Sequence, residues 1–205
     1  LLTVGKILKI GIDEAGRGPL AGPVVSAAVI IEHRIEGVKD SKKLIPKKRF
    51  LLFNEIINHA IAFGVGTASV EEIESLNILN ATFLSMRRAI DSLLLSYTKQ
   101  FGEIYPEDFI VLVDGNKPIP DIPFKVKAIV KGDNLIYEIS CASIIAKVYR
   151  DNIMVALANA YPQYGFEKNK GYGTKEHFEA LKKFGISPVH RKKFVRGLEN
   201  VTLFG

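Results

Sequence analysis

The sequence predicts a mixed α/β core carrying a helical C-terminal lobe. Two early apolar runs, Lys6 to Asp13 and Val24 to Ile31, are separated by a turn rich in Gly and Pro, the pattern of a β-hairpin. Strand-like segments cluster in the first two thirds of the chain, and the last third reads as helices and turns. No internal repeat, low-complexity tract or linker interrupts the 205 residues. We therefore expect one structural domain, with residues 1–160 forming the core and residues 161–205 a basic helical lobe.

The elements follow from their side-chain periods. In the first strand Ile10 and Ile12 share one face, and Gly11 and Asp13 share the other, because strand side chains alternate. The turn Gly16-Arg17-Gly18-Pro19-Leu20-Ala21-Gly22-Pro23 follows, then the second, largely buried strand. Asp40 to Lys43 is a polar loop. Lys48 to Ile61 is helical, with Phe50, Phe53, Ile57 and Ile61 at helical spacing. Phe63 to Ala68 is a third strand. Ser69 with Glu72 matches a capping box, and a long helical pattern runs from Ile78 to Tyr97. Phe109 to Val113 is a compact strand that delivers Asp114 to a Gly115-Asn116 turn, and Lys125 to Val130 is a further strand. Lys131 to Asn134 reads as a loop and Ile139 to Ala160 as an Ala- and Ile-rich helix. Thr174 caps a last helix, Lys175 to Phe184, which stops at Gly185.

Composition narrows the function classes. Hydrophobic residues make 47% and charged residues 24% of the chain, which excludes a disordered polymer. The longest apolar stretch, Val24 to Ile31, is far too short to span a bilayer. Leu1 to Lys6 lacks the pattern of a signal peptide. Cys141 is the single cysteine, so neither an internal disulfide nor a cysteine zinc site is available, and a cytoplasmic location is expected. The 28 Lys and Arg outnumber the 22 Asp and Glu. The excess is C-terminal: Lys168 to Arg196 holds nine basic residues against Glu176 and Glu179. Such a surplus suits a polyanionic partner.

Four acids stand out by position. Asp13 and Glu14 sit where the first strand meets the glycine turn, Asp114 ends a buried strand, and Asp133 follows Lys131-Gly132 ahead of a helix. Acids at strand ends can converge from distant segments, and the cluster is electrically tolerable only with cations. Oxygen donors select Mg²⁺ or Mn²⁺, and a pair of such ions suits phosphodiester hydrolysis. Asp13 and Glu14 point to opposite faces of a regular strand, so they share a site only where the strand ends or bends at Glu14. The plain alternative makes each acid a turn former or helix cap.

The glycine turn has two readings. Gly16-x-Gly18-x-x-Ala21 after a strand satisfies a dinucleotide fingerprint, with Glu36 or Asp40 as the ribose acid. Against this, Asp13 and Glu14 would repel a pyrophosphate, and Val24 begins a strand where the motif opens a helix. The other reading is close main-chain approach to a sugar at Gly16, Arg17 and Gly18. Tyr172, flanked by Gly171 and Gly173, is placed for stacking on a sugar or base. Lys42 and the C-terminal basic run are either phosphate contacts or solvated faces. His177 and His190 read as surface or hydrogen-bonding residues rather than ligands.

The segment Gly11-Ile12-Asp13-Glu14-Ala15-Gly16-Arg17-Gly18-Pro19-Leu20-Ala21-Gly22-Pro23-Val24 resembles the opening signature of ribonuclease HII, the type 2 ribonucleases H. The match continues through Asp40-Ser41-Lys42-Lys43-Leu44, Asn77 to Thr82, Val113-Asp114-Gly115, Lys131-Gly132-Asp133, Ser140 to Asp151, Gly171-Tyr172-Gly173-Thr174 and His190-Arg191, in the family's order.

This resemblance implies a ribonuclease H-like mixed sheet flanked by helices. It implies a Mg²⁺- or Mn²⁺-dependent endonuclease that cuts the RNA strand of RNA/DNA hybrids and 5′ to ribonucleotides embedded in duplex DNA, leaving 3′-OH and 5′-phosphate. By motif position, Asp13, Glu14, Asp114 and Asp133 are the catalytic and metal-binding acids, with Asp151 the alternative fourth. Gly16, Arg17 and Gly18 look like the reader of the ribose 2′-OH, Tyr172 like the residue stacking beside the junction, and Lys42 like a phosphate contact. Ribonuclease HIII has a similar core but a domain-sized N-terminal extension and no junction tyrosine. A monomer is expected. Leu203-Phe204-Gly205 forms no clear sliding-clamp motif, so no clamp partner is carried over.

Overall fold

The computed structural model describes residues 7–38 and 44–196. Lys42, the rest of the Asp40 to Lys43 loop and Leu203-Phe204-Gly205 lie outside them. Strands β1 (Leu8–Ala15), β2 (Val24–Ile30), β3 (Ala62–Ala68), β4 (Phe109–Asp114) and β5 (Lys125–Ile129) form one sheet in the order β3-β2-β1-β4-β5. The hairpin expectation holds: β1 pairs antiparallel with β2, Gly11 opposite Val29 and Ala15 opposite Val25. The central step is not local. β4 pairs parallel to β1, Ile12 beside Val113, so residues a hundred positions apart become neighbours. β5 extends the sheet in parallel to β4.

A helix covers each face. Helix α3 (Ile78–Phe101) lies over β3, β2 and β1, and its Met86, Ala89, Ile90 and Leu93 pack on Ile10, Ile12, Val111 and Val113. Helix α5 (Tyr137–Ala160) covers the opposite face, where Ile144 and Ile145 meet Ala27 and Val29; α1 (Pro46–His59) joins it through Leu52 and Ile56. Every residue of β2 is buried, because β2 is sandwiched between these layers. Gly11 permits the close approach of α5: a Cβ there would stand 2.2 Å from the Glu138 carbonyl carbon.

The caps match the sequence signals. Ser69 and Glu72 form the reciprocal capping box of α2 (Val70–Leu76). Thr174 Oγ1 accepts the His177 N–H at the start of α7 (Lys175–Phe184), which ends at Gly185. Two expectations need correction. Lys131 to Asn134 is not a plain loop, because Lys131 adopts a left-handed conformation and Gly132–Leu135 forms a short helix, α4. The first strand does not stop at Asp13 but continues through Glu14 to Ala15, since β2 supplies Ser26 and Val25 as partners.

Beyond α5 the chain folds through α6 (Phe166–Asn169), α7 and α8 (Lys192–Val195). Tyr164 and Phe166 pack with Met154, Ala158, Ala180 and Ala21, so this segment is seated on both the end of α5 and the glycine turn.

Candidate active site

The strand register dictates where the acids fall. On β1, Leu8, Ile10 and Ile12 face α3, and Lys9, Gly11 and Asp13 face α5. On β4, Phe109, Val111 and Val113 face α3, which turns Asp114 to the α5 side. Both acids stand one residue past the paired Ile12 and Val113, at the same end of the sheet. Helix α4 brings in the third. Its Gly132 N–H donates to Asp114 Oδ1 at 2.7 Å, and Ser140 Oγ donates to the Asp133 carbonyl at 2.6 Å. Asp13, Asp114 and Asp133 thus each offer an oxygen within 4.8 Å of the other two.

Glu14 obeys the alternation anticipated for a regular strand. It lies on the α3 side, beside Leu79, Thr82 and Met86, outside the group of three. It remains at the rim of the same cleft and takes a 3.2 Å contact from Arg17 Nη1. Asp151 is elsewhere: it accepts Lys147 Nζ at 2.7 Å and faces Arg49 at 3.5 Å.

The electrostatics mark Asp13. Burial, then the charges of Glu14 and Asp114, push its carboxyl well above the usual carboxylate range. Ser143 and the Glu14 N–H oppose this only in part. Asp13 Oδ2 is buried with no hydrogen-bond partner among the described residues, while Oδ1 accepts the Glu14 N–H at 2.7 Å. A buried carboxylate oxygen left over beside two more carboxylates is costly for a metal-free protein. It fits a hard divalent cation with oxygen ligands.

The cleft above the acids, about 610 Å³, is lined by Gly16, Arg17, Gly18, Ser143 and Tyr172 as well as Glu14 and Asp114. Gly16 takes φ +101°, which L side chains rarely adopt, and a Cβ there would overlap Arg150 Nε at 2.0 Å. Across the turn, a Cβ on Gly18 would lie 3.9 Å from the Tyr172 ring. Tyr172 is 45% exposed, so its ring is open to solvent at the cleft wall.

Four residues behind the cleft carry more than their sequence signals suggested. Arg150 and Arg191 are fully buried. Arg150 donates to the carbonyls of Pro23, Ala21 and Lys170, and Arg191 to those of Gly22, Arg17 and Gly16. Burial, then Arg150, lowers Arg191 to about 9. Arg191 therefore does not belong to the solvated basic face, although Lys182, Lys183, Lys192 and Lys193 around it are exposed. His177 and His190 are also buried and bond to each other rather than to solvent, Nε2 to Nε2 at 3.0 Å. Burial lowers both, and the neighbouring His177 helps hold His190 at about 4. The sequence signal for them was the family resemblance, since Arg150 lies within the Ser140 to Asp151 motif and His190-Arg191 forms another; neither motif tells that the side chains are buried.

The sheet order, the flanking helices and the three-carboxylate centre at the end of the central strands define a protein of ribonuclease H-like fold. The comparisons are specific. The family model described as Ribonuclease HII matches residues 10–197. A Ribonuclease HII of Caldicellulosiruptor bescii is 51% identical over 200 residues, covering 97% of this chain and 91% of that protein. The ribonuclease H2 structure of Pyrococcus horikoshii superposes with a TM-score of 0.70 at 28% identity, covering 96% of this chain and 99% of the other. Bst-RNase HIII in complex with Mn²⁺ shares the fold, with a TM-score of 0.68 at 19% identity over 95% of this chain and 64% of that one. The chain belongs to the ribonuclease HII family, endonucleases of the RNA in RNA/DNA hybrids.

Proposed function

We propose that this chain is a Mg²⁺- or Mn²⁺-dependent, monomeric endoribonuclease of the cytoplasm. It cuts the RNA strand of RNA/DNA hybrids and cleaves 5′ to ribonucleotides embedded in duplex DNA, leaving 3′-OH and 5′-phosphate ends. The observation that carries this reading is the convergence of Asp13, Asp114 and Asp133 within 4.8 Å beneath a cleft shared with the glycine turn and Tyr172.

Asp13, Asp114 and Asp133 would hold the divalent ion, and Glu14, at the same strand end, would complete the acidic set for a two-ion arrangement. A bound ion supplies Lewis-acid polarisation of the phosphate and eases deprotonation of water at neutral pH. The protein's own contribution is position. The strand ends and α4 hold the carboxylates rigidly at the cleft floor. Main-chain groups of Gly16, Arg17 and Gly18 reach a ribose without a side chain intervening. The 2′-OH is the one group that separates RNA from DNA locally, so this contact selects ribose without reading bases. Tyr172 stacks beside the junction. The exposed lysines of α7 and α8 add phosphate binding that weakens with salt. Lys42 is carried as a phosphate contact on the family motif alone.

The test is cleavage mapping on a labelled duplex containing one ribonucleotide, with a Mg²⁺ and Mn²⁺ titration and an EDTA control. A single metal-dependent cut on the 5′ side of the ribonucleotide, absent in Asp114→Asn, is the expected result. Tight binding of the duplex with no metal-dependent cut makes the protein a hybrid-binding module and overturns the proposal.

A further inference from the structure

Residues 190 and 191 stand where the two walls of the cleft are tied together. The chain from Ser187 to Arg191 passes between the glycine turn and the segment carrying Tyr172. Gly22 N–H donates to the Val189 carbonyl and Arg191 N–H to the Leu20 carbonyl, each at 2.8 Å, so Ala21 and His190 face each other as an isolated bridge.

The Arg191 side chain then acts on the turn. Its Nη2 donates to the Gly16 carbonyl at 2.6 Å, its Nη1 to the Arg17 carbonyl at 3.0 Å and its Nε to the Gly22 carbonyl at 2.9 Å. In a trans peptide the N–H points opposite to the C=O. Anchoring the carbonyls of Gly16 and Arg17 on the guanidinium therefore turns the N–H groups of Arg17 and Gly18 away from it. Neither N–H has a main-chain acceptor among the described residues. The fork geometry of arginine matches three carbonyls at once, which an ammonium cannot reproduce.

The His190 side chain acts on the opposite wall, and its proton positions follow from the donors around it. Ser187 N–H donates to His190 Nδ1 at 2.9 Å, so the proton of the neutral ring is on Nε2. That N–H donates to His177 Nε2 at 3.0 Å, which leaves the His177 proton on Nδ1, and Nδ1–H donates to the Tyr172 carbonyl at 2.9 Å. The chain of donors runs one way and ends on the residue whose ring forms the wall.

We propose that His190 and Arg191 are positioning residues that set the gap between the glycine turn and the Tyr172 ring and present the Arg17 and Gly18 amides to a ribose. Neither side chain touches the substrate. The inference rests on the turn being the ribose reader. It adds that ribose preference is stored in the C-terminal segment rather than in the turn alone.

The experiment measures binding in EDTA, free of cleavage, by fluorescence anisotropy. Two duplexes are compared that differ only in one ribonucleotide for its deoxy equivalent. Arg191→Lys keeps the charge and loses the fork. Its preference for the ribonucleotide duplex should fall about tenfold, or to unity where the wild-type preference is smaller. Its affinity for the all-deoxy duplex should change less than about twofold, since the phosphate-binding lysines are untouched. His190→Gln should lower the same preference, and it serves as the test if Arg191→Lys fails to melt cooperatively. A preference equal to wild type in a folded variant overturns the proposal. A wild-type protein with no ribose preference overturns the reading of the turn itself, and this inference falls with it.

Discussion

Asp13 and Asp114 stand side by side on two parallel neighbouring strands, each one residue beyond the paired Ile12 and Val113, with both carboxylates on the α5 face. Their proximity, with the burial of Asp13, is a repulsive arrangement in the metal-free protein. Asp13→Asn should therefore raise the melting temperature in EDTA, by about 2–4 °C for each kcal/mol of repulsion relieved. The same substitution should abolish the stabilisation that Mn²⁺ gives the wild type. Thermal melts with and without Mn²⁺ check both; a lower melting temperature in EDTA would contradict the repulsive account.

Asp133 and Asp151 should separate cleanly. Asp133→Asn removes an oxygen from the group of three and should slow cleavage about a hundredfold or more. Asp151→Asn breaks the contacts to Lys147 and Arg49, and its main effect should be a loss of roughly 1 kcal/mol of stability. Single-turnover kinetics at saturating metal, beside urea unfolding, distinguish the two.

Gly16 and Gly18 of the turn should fail for different reasons. Gly16→Ala forces a side chain onto φ +101° and into Arg150, so destabilisation of about 2 kcal/mol or more is expected. Gly18→Ala meets only an ordinary contact 3.9 Å from the Tyr172 ring, and stability should stay within about 0.5 kcal/mol. If the turn reads the ribose as proposed, its methyl intrudes on the gap beside the Tyr172 ring, and cleavage should fall without loss of fold. Comparing melting curves with cleavage rates tests the pair.

The buried histidines impose a pH dependence of known sign. His190 is held at about 4 against an ordinary 6.5, so the unfolded chain binds its proton more readily than the fold does. Stability from this residue is intact above about pH 6.5 and declines as pH falls toward 4, by on the order of 3 kcal/mol. His177 shifts in the same direction. Asp13, raised by burial, works oppositely in the acid range. Urea midpoints at pH 7.5 and 4.5 should show a larger acid loss in the wild type than in His190→Gln. Equal losses would remove the histidines from the account.

Much of the architecture was legible in the sequence. Period-two alternation placed Ile10 and Ile12 opposite Gly11 and Asp13, and the structure keeps that division. Ser69 and Thr174 marked two helix starts because capping is local chemistry. Local signals misjudged the end of β1, since its extension to Ala15 depends on pairing with β2. They also missed α4, whose four residues are too few to show a helical period. Arg191 was hidden in a basic run, where a charged residue reads as solvated unless its partners are known.

The sequence by itself determined the chemistry available: acids at strand ends, glycines flanking an arginine, a tyrosine between glycines, and the order in which these motifs occur. It also determined which face of each strand a residue takes, because alternation is a property of the chain alone. Only the tertiary structure decided which strand lies beside which. The parallel pairing of β1 with β4 brings Asp114 to Asp13, and the return of the C-terminal segment carries Arg191 to the glycine turn. Side-chain period encodes a face and not a neighbour, so contacts between distant segments are settled only when the core closes.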